Sequence, residues 1–440
     1  MSSHWLSNPD TPIELPLRAK NAYRVFLSFA CAYFVSYAFR SINAVIAPEL
    51  ISDLHLSNTQ LGFLSAAYFF GFGATQIPVG LGLDRFGPRL TEMTLMMFAI
   101  VGALIFSWAD DFTSLVIGRV LIGVGVSACL MSAFSGFRYW FPIDRQGQLA
   151  SGMLIFGTSG ALVTSWPVHA VLPYLGWRGV FIGMAVLTCL AIIGLYVGLP
   201  VKTKASKSSA LIDTKESGTT NFSWTSYKPI LTNAFFWRMF PIGAFCYGGF
   251  IAIQTLWLGP WLTSVMEYSS DSTSQILFWF NAVLLLAYVL NTFLLPQLSK
   301  RGITTLRYLT WMIAAALVFQ ACAFYLRSSW VWVCWFLFAI ACASYVLAQS
   351  LVVTYFPKSL SGRVSTTYNL ALFMGAFLVQ WGIGYLIDIG INAGWSRASA
   401  FDLALGIYLV VQALGYIWFL ISPKFFPSTY IAECQELEKD

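Results

Sequence analysis

One arginine stands where a charge is expensive. Arg40 falls inside an apolar run that reads Tyr33-Phe34-Val35-Ser36-Tyr37-Ala38-Phe39-Arg40-Ser41-Ile42-Asn43. Tyr37, Arg40 and Asn43 are spaced so that a helix sets them on one face. A guanidinium with hydroxyl and amide neighbours suits one carboxylate or similar anion through a bidentate contact. An internal acid would be the competing partner. None lies at comparable depth in the apolar runs: Glu49, Asp388 and Asp402 fall at outer helix ends, and Glu92 at an inner one. A ligand must then bring the missing negative charge.

Other polar side chains interrupt apolar stretches: Tyr68, Gln254, Asn281, Asn291, Tyr345, Gln349, Asn369 and Gln380, with Trp257 and Trp261 flanking Gly259-Pro260. Such groups are costly in lipid unless paired or facing a cavity. As a set they are candidates for the lining of a binding cavity, with Gly259-Pro260 a candidate bend. His169 is the one histidine within an apolar run, near its outer end, and the cheapest titratable candidate for a proton site. No metal-ligand spacing, nucleotide loop or nucleophile–base set occurs, so enzyme activity and cofactors are not expected. The eight cysteines form no CxxC pair, and seven lie in apolar runs as small buried hydrophobes.

The elements that must position these residues follow from composition. The chain has 440 residues, 58% hydrophobic, with a mean hydropathy of +0.70. Only 10% are charged, against roughly 25% in soluble domains. Nucleic-acid readers and soluble enzymes are therefore excluded despite the net charge of +6. A spanning helix needs about 20 apolar residues. Twelve such runs occur, at 22–47, 59–82, 90–109, 113–136, 147–172, 177–199, 237–263, 273–297, 304–326, 329–353, 363–389 and 401–423. The N-terminus lacks the order of a cleaved signal peptide.

The predicted fold is an all-α membrane protein with twelve transmembrane helices in two pseudo-symmetric six-helix bundles. Its parts are an N-terminal tail (1–21), a first bundle (22–199), a polar linker (200–236), a second bundle (237–423) and a C-terminal tail (424–440). Lys and Arg crowd the loops on the side of the termini and linker. The other side holds only Arg178, Arg327 and Arg397. Both tails and the linker are therefore expected in the cytoplasm. The halves echo each other. Trp140-Phe141-Pro142 precedes Gly147, and Tyr355-Phe356-Pro357 precedes Gly362, at an offset of 215 residues. Related halves imply a binding site at their interface and alternating access.

The loop after the second run reads Gly80-Leu81-Gly82-Leu83-Asp84-Arg85-Phe86-Gly87-Pro88-Arg89. Here the chain resembles the major facilitator superfamily, whose signature G-x-x-x-D-R/K-x-G-x-R/K is matched at each fixed position. Gly80 and Gly82 would allow close helix approach, and Gly87 a tight turn. The resemblance implies that Asp84, with Arg85 and Arg89, latches the outward-facing state against the start of the eleventh helix, near Arg363 to Thr367. Arg119 with Gly123 and Gly125 resembles the family's R-x-x-x-G-x-G signature, where the arginine bonds backbone carbonyls or tunes gating. The glycines of the fifth run (Gly152, Gly157, Gly160) match the drug-antiporter pattern only in part.

Tyr37, Arg40, Asn43 and Pro48, followed by Gly62, Tyr68, Gln76 and Pro78, look like the anion:cation symporter branch. That branch places an acid before the helix-one arginine and another seven residues after the helix-four arginine. Here those positions are Phe39 and Val126, which puts proton coupling by that route in doubt. The resulting expectation is a monomeric secondary transporter of the bacterial inner membrane. It would import a small organic monoanion, driven by a proton or sodium gradient or by exchange against a counter-anion. Small-molecule cargo, coupling ion and lipid bilayer are its partners; nucleic acid is not. An exporter of amphipathic compounds and a transporter-like receptor are the alternatives.

Overall fold

The computed structural model describes residues 19–141, 145–199, 227–327, 330–357 and 360–422. Most of the two tails, the linker up to residue 226 and parts of both aromatic-Phe-Pro loops lie outside the described residues. No strand occurs among those described.

The helices build twelve passes. Span 1 is Ala19–Ser41 continued by Asn43–Leu54. Span 2 is Asn58–Ala74 and then residues 76–87; span 3 is 88–107, the rest of Gln76–Ser107. Span 4 is Phe112–Val126 with Cys129–Trp140. Span 5 is Gln146–Val163 with residues 166–176, and span 6 is 177–198, the rest of Trp166–Gly198. In the second half, span 7 runs from Ala234 to Ser264. Spans 8 and 9 are Ser270–Lys300 and Thr305–Leu326. Span 10 is Val331–Cys342 with Val346–Tyr355. Spans 11 and 12 are Ser361–Asn392 and Arg397–Ile421. Ten helices among the described residues are long and apolar enough to cross a bilayer, with Gln148–Val163 a shorter apolar one.

The reversals use glycine where the chain must enter the left-handed region. Gly87 (φ 78°) turns span 2 into span 3, and Gly176 (φ 62°) turns span 5 into span 6. Large apolar side chains point outward. Val197 is 73% exposed and Phe293 66%, a surface that suits lipid and would be a liability in water. Inside, span 5 presses on span 1. A Cβ added at Gly160 would stand 2.3 Å from the Phe34 carbonyl oxygen, an approach that only a small residue allows.

Span 7 differs from the expected bend at Gly259-Pro260. It widens instead into π-helical turns at Ile242–Tyr247 and Ile253–Trp257, and continues as Leu258–Ser264. Gly259 has another use. Pro48 has no N–H to bond the carbonyl four residues back, at Ala44. Gly259 lies against that same oxygen, 2.6 Å from where a Cβ would be.

Candidate functional site

The halves are tied together on the face away from the termini, here called the far face. Asp388 of span 11 accepts hydrogen bonds from the N–H of Asn58 (3.2 Å), the Asn58 Nδ2 (2.8 Å) and the N–H of Thr59 (2.7 Å) at the start of span 2. Ser57 caps that helix in a capping box with Gln60. The carboxylate therefore sits on a helix N-terminus, where charge and open amides both favour it. Between spans 5 and 8, Trp166 donates to Asp271 (3.2 Å) and His169 meets Ser270 (2.9 Å).

The opposite face, on the side of the termini and linker, is open. A cavity of about 790 Å³ enters there between spans 2, 4 and 5 on one side and spans 10 and 11 on the other. Arg138 and Arg363 are the charged side chains on its wall, and Gln76, Gln349 and Thr366 are among its polar ones. Phe72 lies one helical turn deeper than Gln76, and Phe373 two turns deeper than Thr366. Their rings meet across the halves at 4.4 Å.

Arg40 lies against this pair. Its guanidinium stands 4.5 Å from the Tyr37 ring, 5.6 Å from Phe72 and 5.7 Å from Phe373. It is part-exposed. No ion pair to it occurs among the described residues, and its Nε is buried without a partner. Tyr33 packs edge-on against Tyr37 at 5.0 Å. Tyr68 donates to the Ser36 carbonyl (3.3 Å). Asn43 donates to Ser65 (2.6 Å) and leaves its Oδ1 unpartnered. The expected cluster of Tyr37, Arg40, Asn43 and Tyr68 thus lies within one bundle, with Phe373 reaching it from the other.

The second half contributes unevenly. Gln254 donates to Asn281 (2.8 Å), and Asn281 donates to Ser165 of the first bundle (3.3 Å), so this pair bridges the halves. Trp257 donates to the Gln380 carbonyl (2.9 Å). Tyr345 is buried against Tyr247 and Phe250 with its hydroxyl unpartnered. Gln349 donates to Ser365 (3.2 Å) on the cavity wall. Asn369 is buried. Asn291 accepts from Tyr308 of span 9 (2.7 Å), a contact inside the second bundle.

The gating residues divide similarly. Gly87 makes the turn, while Gly80 has no neighbour within 4 Å of a built Cβ and lines the open cavity. The close approach expected at Gly80 is absent in this conformation, whereas Gly82 lies against Thr91 of span 3, 3.0 Å from where a Cβ would be. Arg85 is exposed over Phe86. Arg89 donates to the Tyr196 carbonyl (2.7 Å) of span 6. The Asp84 side chain lies outside the described residues. Arg119 is buried, donates to the Phe39 carbonyl (2.9 Å) and lies over Phe106 and Phe181. It thereby holds the residue that precedes Arg40.

Two features escaped the sequence reading. Asp388 was placed merely at a helix end, yet it joins the bundles. Glu92 does lie near the inner end of span 3, and it is completely buried there.

Comparison with known proteins supplies the wider context. The Major Facilitator Superfamily model matches residues 29–380. A probable L-galactonate transporter of Escherichia coli is 24% identical over 430 residues, covering 92% of this chain and 90% of that one. A probable sulfoacetate transporter of Cupriavidus necator is 27% identical over 165 residues, 38% of each chain. A hexuronate transporter of Bacillus subtilis is 29% identical over 165 residues, 35% of this chain and 39% of its own. Among solved structures, an inward-facing bacterial homologue of the lysosomal transporter Spinster superposes with a TM-score of 0.73 at 16% identity, covering 93% of this chain and 98% of that one. A D-xylose–proton symporter gives 0.72 at 16%, covering 93% and 99%. At such identity these two speak for the fold alone.

Proposed function

The chain belongs to the Major Facilitator Superfamily, and from that premise we propose that it imports a small organic monoanion held by Arg40 between the two bundles. As a family member it is a multi-pass membrane transporter, not an enzyme. The observation that carries the proposal is the Arg40 guanidinium, without an ion pair among the described residues and flanked by Phe72 of one half and Phe373 of the other. A lone cation in a low-dielectric chamber gains most from a ligand of single opposite charge. Relatives named for galactonate and hexuronate point to a single carboxylate on a small polar body, while one named for sulfoacetate points to a cargo with both a carboxylate and a sulfonate.

Arg119 acts as a positioning residue through the Phe39 carbonyl. We assign the bridging pair Gln254 and Asn281 to the polar groups of the cargo on the side of the second half, supported by their contact with Ser165 of the first. The basic face with the cavity mouth is the cytoplasmic one, so the structure represents an inward-open state that is closed to the outside. The bacterial inner membrane is its location, and a monomer its form. A gradient of protons or another ion, or exchange, drives the cycle.

The test is thermal stabilisation of purified protein by galactonate, glucuronate, sulfoacetate, nitrate and a neutral sugar control. One of the anions should raise the wild-type melting temperature, and Arg40→Ala should lose that response while unliganded folding is kept. Full retention of the response in Arg40→Ala would end the assignment of Arg40 as the anion site.

A further inference from the structure

One buried group takes no part in the anion site. Glu92 lies in span 3 and is 0% exposed, and neither carboxyl oxygen makes a well-formed hydrogen bond among the described residues. An ionised carboxylate there would lack a counter-charge among the described residues, with only the weakly polar Cys129 thiol and the Ser132 hydroxyl beside it. This conformation therefore keeps a proton on it.

The surroundings of Glu92 can change. Cys129 and Ser132 of span 4 are the side chains its carboxyl feels most. Span 4 is interrupted between Val126 and Cys129, so a bend at that break moves Glu92's neighbours directly. The separation from water is thin. Val79, Leu83 and Ala128 form a small apolar cluster with Leu95 and Met131. Ala128 adjoins Cys129, and Leu95 is one turn beyond Glu92. Val79, Leu83 and Met131 line the open cavity on the other side of that layer.

We propose that Glu92 is the proton-binding residue of the transport cycle, protonated in this conformation and released to water when span 4 bends at its break. The step is a simple equilibrium, carboxylate plus proton from water giving carboxylic acid, and needs no other reactant. It goes beyond the anion-site reading and shares only the transporter premise with it.

The other charged or titratable groups around Glu92 are few. Span 4 brings Cys129. Span 2 brings the apolar Val79 and Leu83, with Asp84 and Arg85 nearer the membrane face. Span 6 carries no Asp, Glu, His, Lys or Arg between Val180 and Leu199; its Tyr196 is exposed and its Cys189 too. On Glu92's own helix, Arg89 is turned to Tyr196.

The test needs no substrate. Spin labels at Ser52 and Asn392, both exposed on the far face, report its opening as pH is varied. The background carries His169→Gln, because the histidine that meets Ser270 could add its own pH response. Protonation favours the present conformation, so raising the pH should shift the population toward far-face opening. One proton gives up to about tenfold in the equilibrium constant per pH unit. Glu92→Gln should remove that slope and hold the present conformation throughout. Glu92→Asp should keep the slope with a displaced midpoint, and serves if the Gln variant fails to fold. A parent protein without a pH response, a Gln variant with the parent slope, or an Asp variant with an unmoved midpoint would each overturn the proposal. Arg40→Ala leaves this response intact if the two readings are independent, so failure of one is distinguishable from failure of the other.

Discussion

Replacing Asp388 should open the far face. Its carboxylate receives three hydrogen bonds from the start of span 2, at 3.2, 2.8 and 2.7 Å, one of them a side-chain amide. A hydrogen bond to a charged group contributes about 1.5–3 kcal/mol, but three that share one part-exposed carboxylate do not add. A net contribution of about 2 kcal/mol to the closed state is a moderate figure, and about 1.4 kcal/mol corresponds to tenfold in an equilibrium. Only the difference between states counts. These bonds join the two halves and must break when the far face opens. Asp388→Ala should then raise the ratio of far-open to far-closed molecules by roughly 30-fold. Asp388→Asn, which keeps one acceptor oxygen but loses the charge, should fall between. The assay is the distance distribution between labels at Ser52 and Asn392. The reasoning is refuted if both variants give the wild-type distribution, since the carboxylate would then contribute equally to both states.

The latch implied on the other side should act in the opposite sense. Asp84→Asn should favour the present linker-side opening. The size is about 0.3–1 kcal/mol for a charge at a helix terminus, or two- to fivefold, read from labels on that face; an opposite or absent shift would remove Asp84 from the latch. Gly160→Val should destabilise the first bundle by about 3 kcal/mol, the upper end for overpacking, because its Cβ would stand 2.3 Å from a backbone oxygen that cannot rotate away. Thermal unfolding in detergent measures it, and an unchanged midpoint would show that spans 1 and 5 can separate freely.

The parts of this molecule that depend on local chemistry were legible in the sequence. The turn at Gly87 follows from a glycine between charged residues, and the isolation of Arg40 from counting acids within apolar runs. The cation's ring neighbours were legible in part. Tyr37 follows from helix spacing, but Phe373 comes from a helix more than 300 residues away. The same distance hid Asp388, since nothing near it in the chain announces that span 2 begins beside it. Glu92 does lie near the inner end of span 3, but its burial was hidden for a different reason. Distance from a helix end measures depth along one axis, whereas its burial is set by the packing of span 4 across that axis. Asn291 shows the converse. A polar residue in an apolar run can be engaged by a neighbouring helix, here through Tyr308 at its Oδ1 while its Nδ2 stays unpartnered, without lining a cavity. The π-helical turns of span 7 lie beside prolines, one directly after Pro241 and one ending three residues before Pro260, so the Gly-Pro pair marked the neighbourhood of the second but not the form it takes.

The meeting of Ala44 and Gly259 bears on how readily the outer seam can part. Pro48 deprives the Ala44 carbonyl of its helical donor, and a bare main chain covers it. When the bundles separate, that oxygen exchanges a weak neighbour for hydration, so parting there is nearly neutral and no rotamer has to be reset. Resistance to opening then falls on the polar contacts that cross the seam, at Asp388 on the rim and at Asn281–Ser165 deeper in, while the Ala44–Gly259 contact behaves as a dry joint ready to be wetted.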